Sequence, residues 1–244
     1  MTLAASIQWD LLPPLTLTSR SLNAAGMLEP AYDVGGDSFD YALNDSFFQM
    51  AIVDAAGHGI AAAMISVLAV GSYRHDRREG HGIDRIHSNL DAVLETHQPR
   101  AAFATGQLAH VDLLTGAMSW TNAGHPPPLL VRGGRVEREL QCPPTPPWGF
   151  GHLATDRAVP IGTEQLVPGD QVLFYTDGVV ESRDPGGDFF GLDRLARLVA
   201  EHSGVAARPE ETARRVVQSV IDHSGDPLRD DATLVLWQWD GPLA

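Results

Sequence analysis

The chain has 244 residues, 43% of them hydrophobic, and a formal net charge of -14. That size and apolar content suit one fairly large globular domain, and the charge argues against nucleic acid or an anionic membrane as the main partner, since both carry the same sign. Every basic residue is an arginine, which excludes a Walker lysine, a lysine Schiff base and a lysine general base.

No apolar run approaches the roughly 18 residues of a membrane span, and the start, MTLAASIQWDLLPP, lacks the basic region and apolar stretch of a signal peptide. A cytoplasmic location is the expectation. One cysteine, Cys142, cannot form an internal disulfide, which agrees with a reducing compartment. A cysteine phosphatase is excluded too, because its signature histidine and arginine positions hold Gln141 and Trp148. The HExxH and GxSxG motifs are also absent.

In chain order, Phe47 to Asp54 reads as a buried strand, and Gly57, His58 and Gly59 then turn the chain into a helix from Ile60 to about Tyr73. Ile83, Ile86, Leu90 and Leu94 recur at helical spacing and predict a second helix over Ile83 to His97. Phe103 to Leu113 and Met118 to Asn122 flank a Thr115-Gly116 turn, and Leu129 to Val131 and Val136 to Leu140 flank Gly133-Gly134, which predicts two hairpins. The proline-rich stretch Cys142 to Gly151 reads as an ordered loop at a sheet edge. Strands are expected again over Asp156 to Ile161 and Gln171 to Thr176. Two helices follow, Gly191 to His202 and Pro209 to His223, and Thr233 to Trp239 closes the chain as a strand. Segregated rather than alternating elements argue for an α+β fold with antiparallel sheets and helices packed outside.

Four aspartates stand in four separate motifs: Asp37 in VGGDSFDY, Asp54 in VDAAGHG, Asp177 in YTDGVVES and Asp230 in RDDATLVLW. Each follows or lies within strand-forming residues and is flanked by glycine or a second acid, so strand ends could bring the carboxylates together. Two such charges repel by roughly 1 to 4 kcal/mol at contact, so a cluster needs raised pKa values or cations between the acids. Any one of these aspartates alone would read as a turn residue. Four together point to hard divalent ions, which prefer oxygen ligands, with the neighbouring glycines letting backbone approach the ion.

IQWDLLPP, EPAYDVGGDSFDY, VDAAGHGIAAAM, FATGQLAHVDLLTG, NAGHPPPLLV, LFYTDGVVESRD and DDATLVLW, in that order, resemble the bacterial metal-dependent serine/threonine phosphatases of the PPM (PP2C-like) superfamily, in its SpoIIE/RsbU branch. The resemblance covers nearly the whole chain. It implies a single phosphatase domain over residues 1–244, with its core at about 20–240 and no separate sensor domain. The implied fold is an α-β-β-α sandwich: two packed antiparallel sheets flanked by helices, with two Mn²⁺ or Mg²⁺ ions at one end.

By position, Asp54 resembles the acid that bridges both ions, with the backbone carbonyl of Ala55 on the first. Asp177 and Asp230 resemble ligands of the second ion, and Asp37 a direct or water-mediated ligand of the first. The implied chemistry is hydrolysis of phosphoserine or phosphothreonine by metal-held water, without a covalent enzyme intermediate. The implied substrate is a phosphorylated STAS-type anti-sigma-factor antagonist in a partner-switching pathway, and a homodimer is left open.

Other residues carry weaker readings. His58 could protonate the leaving oxygen or simply turn the chain into its helix, and His125 could order a loop or line the site. Asp40 and Asp231 read as supporting or capping acids, Arg183 as a candidate phosphate ligand, and Cys142 as a bystander. Two other functions stand beside the first: a non-catalytic module that keeps the fold and sequesters a partner, and a phosphatase for a small metabolite.

Overall fold

Backbone pairing between distant strands sets the architecture of the protein. The structure, a computed structural model, describes residues 9–31, 34–44, 46–97, 102–156, 158–203, 208–225 and 228–242. Ile7 and Gln8 of the first motif and the Tyr32-Asp33 pair of the second lie outside them.

One sheet contains β1 (Thr16–Thr18), β2 (Leu22–Glu29), β7 (Leu129–Arg132), β8 (Arg135–Glu139), β10 (Gln171–Tyr175) and β11 (Ala232–Trp239). Its spatial order is β1-β2-β11-β10-β7-β8. The second contains β3 (Asp37–Leu43), β4 (Phe47–Ala55), β5 (Ala104–Asp112), β6 (Ala117–Ala123) and β9 (Gly162–Gln165), in that order. All pairings within the sheets are antiparallel.

Strand alternation sorts the second sheet into two faces. Phe48, Met50 and Ile52 of β4 face the other sheet and pack with Trp120, Phe174, Val235 and Trp237. Ala51 and Val53 face outward onto α1 (Ile60–Arg78) and α2 (Ile83–His97). The outer face of the six-stranded sheet is covered by α4 (Leu192–His202) and α5 (Pro209–Ser224), through Leu195, Val199, Val216 and Val220. The expected α-β-β-α sandwich is therefore the observed fold.

Local chemistry explains several boundaries. The Gly133-Gly134 turn takes positive φ at both residues, 59° and 73°, as a two-residue hairpin requires. Helix α5 starts with a proline in its first turn and Glu210 and Glu211 beside it, and ends on Gly225 in the left-handed region, matching the asymmetry of helix ends. Helix α1 runs past the expected end at Tyr73 to Arg78. Its last turns are held by Arg74 and Arg77, which pair with the buried Asp40 at 2.7 and 3.6 Å, so charge rather than apolar periodicity carries the helix on.

Other elements also differ from expectation. The strand expected over Asp156 to Ile161 lies instead at β9, Gly162–Gln165, where Gly162 to Gln165 pair with Trp120 to Ala117. Pro160 has no N–H to give a ladder. Asp177–Val180 forms a short helix, α3, straight after β10, and β1, β2 and β3 lie before Phe47, where the predicted elements start; the Ser19 hydroxyl, accepting the Ser21 and Leu22 N–H groups, turns the chain into β2. The proline-rich loop is ordered, as expected. It bridges Ala104 through Trp148 and Ala123 through Thr145.

Trp148 is fully buried, exchanges two backbone hydrogen bonds with Ala104, and lies so close to Gly106 that a Cβ there would come within 2.3 Å of the ring. Trp148→Ala should lower unfolding free energy by about 3 to 5 kcal/mol, and Leu153→Ala, at an exposed position, by less than about 0.5 kcal/mol. Denaturant midpoints compare the two directly.

Candidate metal centre

The four motif aspartates come together at one end of the sandwich. Asp37 on β3 stands directly opposite Asp54 on β4, and Asp54 stands opposite Thr105 on β5. Alternation places all three on the face toward the other sheet, in line with Phe39, Ile52 and Gln107 one layer deeper. The opposite sheet contributes Asp177, the first residue of α3, and Asp230, just before β11.

Asp231 joins the two sheets. Its carboxylate accepts hydrogen bonds from the backbone N–H groups of Ala31, at 2.9 Å, and Asp37, at 3.3 Å. Thr176, at the end of β10, donates its hydroxyl to Asp37 Oδ2 at 2.8 Å and accepts the Thr233 N–H at 3.1 Å. Asp231 is 4% exposed, so it is a buried acceptor that locks the GGD segment, a fuller role than the capping one its doublet suggests.

The motif glycines are explained by this close approach. A Cβ at Gly35 would lie 1.7 Å from Asp231 Oδ2, one at Gly36 2.3 Å from the Ala55 carbonyl oxygen, and one at Gly178 2.0 Å from the Asp231 carbonyl oxygen. The glycines thus admit neighbouring protein oxygens, where their place in the motifs predicts an ion. Ser66 of α1 donates its hydroxyl to the Gly36 carbonyl, so the first helix also holds this segment.

Charge crowding is the electrostatic signature of the site. Burial, then Asp177, Asp230 and Asp231, push the Asp54 carboxyl up from 3.8 to about 7, against a hydrogen bond from Thr105. Burial, then Asp54 and Asp231, raise Asp37 well above the usual carboxylate range, with hydrogen bonds from Thr233 and Thr176 opposing. Asp177 is raised by burial and by Glu181. Asp230 is raised by burial, Asp177 and Asp231, while the Asp231 N–H and His58 act the other way.

Among the described residues, no three of these side chains converge on a single point as a preformed cage. They form a cluster of carboxylates near enough to raise one another's proton affinity. Such a donor set fits a hard divalent cation, whose charge would relieve the repulsion.

The remaining candidates separate clearly. His58 is exposed at the turn before α1 and lies within electrostatic reach of Asp230. His125 is buried and orders its loop through reciprocal bonds with Asn122, N–H to Oδ1 at 2.7 Å and Nδ2 to the His125 carbonyl at 2.8 Å. It also reaches the site, through Thr105. Asp40 sits on the opposite face of β3 from Asp37, bound to α1, and so takes no part. Arg183 donates to the Gly187 carbonyl at 2.9 Å and stacks 3.8 Å over Phe189, within its own loop. Thr105, Thr176 and Glu181 escape sequence reasoning; all three lie inside or next to the quoted motifs, but a threonine carries no signal of its own.

The family of Stage II sporulation protein E (SpoIIE) matches residues 45–240, and the chain belongs to this family of PP2C-like phosphatase domains. Protein IcfG of Synechocystis sp. is 26% identical over 94% of the chain, which spans 40% of that protein. Phosphoserine phosphatase RsbU of Bacillus subtilis is 24% identical over 96% of the chain, which spans 68% of RsbU. The fold is that of the SiaA-PP2C domain of Pseudomonas aeruginosa, with a TM-score of 0.81 at 23% identity, covering 97% of the chain and 94% of that domain.

The raised acids make stability depend on pH in a defined direction. An unfolded aspartate ionises near 3.8 whereas folded Asp54 does so at about 7, so within that window only the folded state retains the proton. Without divalent cations, stability should fall as pH rises through that window and level off above it. Urea midpoints in EDTA at stepped pH measure this, and Asp54→Asn should flatten the slope.

Proposed function

We propose that the protein is a Mn²⁺- or Mg²⁺-dependent phosphatase acting on phosphoserine or phosphothreonine in proteins. The observation that carries this reading is the cluster of aspartates at one end of the two-sheet sandwich, with Asp37 and Asp54 paired across strands, in a chain of the SpoIIE family. In this reading Asp54 would hold both ions and the Ala55 carbonyl would help hold the first. Asp177 and Asp230 would hold the second, and Asp37 the first, directly or through water. Bound there, the ions would lower the pKa of a coordinated water and neutralise phosphate oxygens.

The protein's own part is positioning. Asp37 and Asp54 are set side by side by strand register, and Asp177 and Asp230 are brought opposite them by the second sheet. Thr176 and the Asp231 carboxylate hold the Asp37 side chain and backbone, so the acids need little rearrangement when a phosphate arrives. In this reading His58, exposed and within electrostatic reach of Asp230, would give a proton to the leaving oxygen.

The substrate inference rests on relatives. RsbU is named a phosphoserine phosphatase, and the family resemblance extends this to a phosphorylated STAS-type anti-sigma-factor antagonist in a partner-switching pathway. Such a substrate would be met in the cytoplasm. Among the described residues no helix is long and apolar enough to cross a membrane.

With Mn²⁺, the protein should hydrolyse p-nitrophenyl phosphate and a phosphoserine peptide, and should discriminate in favour of a phosphoprotein over small phosphate esters. Asp54→Asn should lower kcat by at least about 10²- to 10³-fold with its circular dichroism unchanged. Undiminished turnover in that variant would rule out the bridging role.

A further inference from the structure

We propose that Thr105 and His125 are positioning residues for Asp54, forming a one-way hydrogen-bond chain from His125 Nδ1–H to Thr105 Oγ1–H to Asp54 Oδ2. The distances are 2.9 Å for the first link and 3.3 Å for the second. The inference rests on the reading of Asp54 as a cation ligand and assigns the group that orients it.

The direction of the chain follows from counting protons. Thr105 has one hydroxyl proton and two possible takers, Asp54 Oδ2 and His125 Nδ1. It can donate to the carboxylate only when Nδ1 carries the imidazole proton and donates to Oγ1. The alternative tautomer would draw the hydroxyl proton to Nδ1 and leave Asp54 Oδ2 without this donor.

The surroundings of His125 favour the first arrangement. The ring is 5% exposed, and its Nε2 has no hydrogen-bond partner among the described residues. A proton at Nε2 would be a buried donor with no acceptor in hydrogen-bond geometry, whereas a proton at Nδ1 meets Oγ1 at 2.9 Å. Burial pushes the imidazole down to about 3; the Tyr175 backbone acts the other way without reaching hydrogen-bond geometry at Nε2. The ring is therefore neutral and has a single proton to place. The two Asn122 bonds fix the backbone from which the ring projects.

The arrangement parallels the one at Asp37. There Thr176 accepts the Thr233 N–H and passes its own proton to Asp37 Oδ2. Each of the two paired acids is therefore held by a threonine whose hydroxyl direction is set by a second donor. At Asp37 that donor is a backbone amide, whose proton cannot move. At Asp54 it is an imidazole, whose tautomer can change, so only the Asp54 chain has a measurable signature in the metal-free protein.

Histidine-detected ¹H–¹⁵N long-range spectra of the metal-free protein, recorded at a pH above the value of about 7 at which Asp54 ionises so that its carboxylate can only accept, test the chain directly. His125 should be protonated at Nδ1 in the wild type and in Thr105→Ser, and should shift to the Nε2–H form in Thr105→Val, which is isosteric but has no hydroxyl. Titration calorimetry with Mn²⁺ should show Thr105→Val weakened by about 10- to 100-fold, with Thr105→Ser restored to within about threefold of wild type. An Nε2–H imidazole in the wild type, or Thr105→Val binding Mn²⁺ as tightly as wild type, overturns the proposal. A wild-type protein that binds no Mn²⁺ defeats the metal reading instead, and the tautomer still decides whether the hydroxyl chain exists. Should Thr105→Val fail to fold, the wild-type tautomer alone upholds or overturns the chain.

Discussion

Like charges crowded at the shared end of two sheets are the constraint around which this protein is organised. Asp37 and Asp54 are neighbours across one ladder, and the other sheet sets Asp177, Asp230 and Asp231 against them. Left alone, such a group would splay apart or hold protons at neutral pH. The fold resists the first outcome with the large apolar layer between the sheets, in which Phe48, Met50, Trp120, Phe174 and Trp237 are buried. It answers the second only in part, through hydrogen bonds from threonine hydroxyls and backbone amides. The remaining repulsion is what a divalent cation would relieve.

The seam between the sheets is polar at this end and apolar elsewhere. Thr105, Thr176, Asp37 and Asp231 replace the aromatic and aliphatic layer that starts at Phe39 and Ile52. A polar layer specifies register more tightly than an apolar one, because each buried donor or acceptor tolerates few partners. Asp231 shows the logic: one carboxylate links the segment after β2 to the start of β3, and the glycines around it leave no room for a side chain. Packing and function thus share the same residues, so a substitution at Gly35 or Gly178 would act on the site through the backbone.

The first helix connects this end to the rest of the sheet. Ser66 binds the Gly36 carbonyl near the site, while Arg74 and Arg77 bind Asp40 three residues further along β3 than Asp37. Asp37 and Asp40 lie on opposite faces of one strand, so one serves the site and the other anchors the helix. A partly buried ion pair at that position gives orientation more than net stability.

The class of fold, most element positions after Phe47 and the four acids are legible in the chain, because hydrophobic period, hairpin glycines and short acid motifs are local signals. The sequence also made the family legible, since seven motifs in order specify more than any one of them. Tertiary structure alone decided how the acids divide. Only strand register sets Asp37 beside Asp54 and Thr105, and only the meeting of two sheets makes Asp231 a buried latch; Arg183 is spent within its own loop, on the Gly187 carbonyl and the Phe189 ring. Thr105 and Thr176 lie far apart in sequence from the acids they touch, as the His125 imidazole does from the Thr105 hydroxyl it meets. A hydroxyl's partner is a matter of distance and angle in three dimensions, and no composition or spacing along the chain records it.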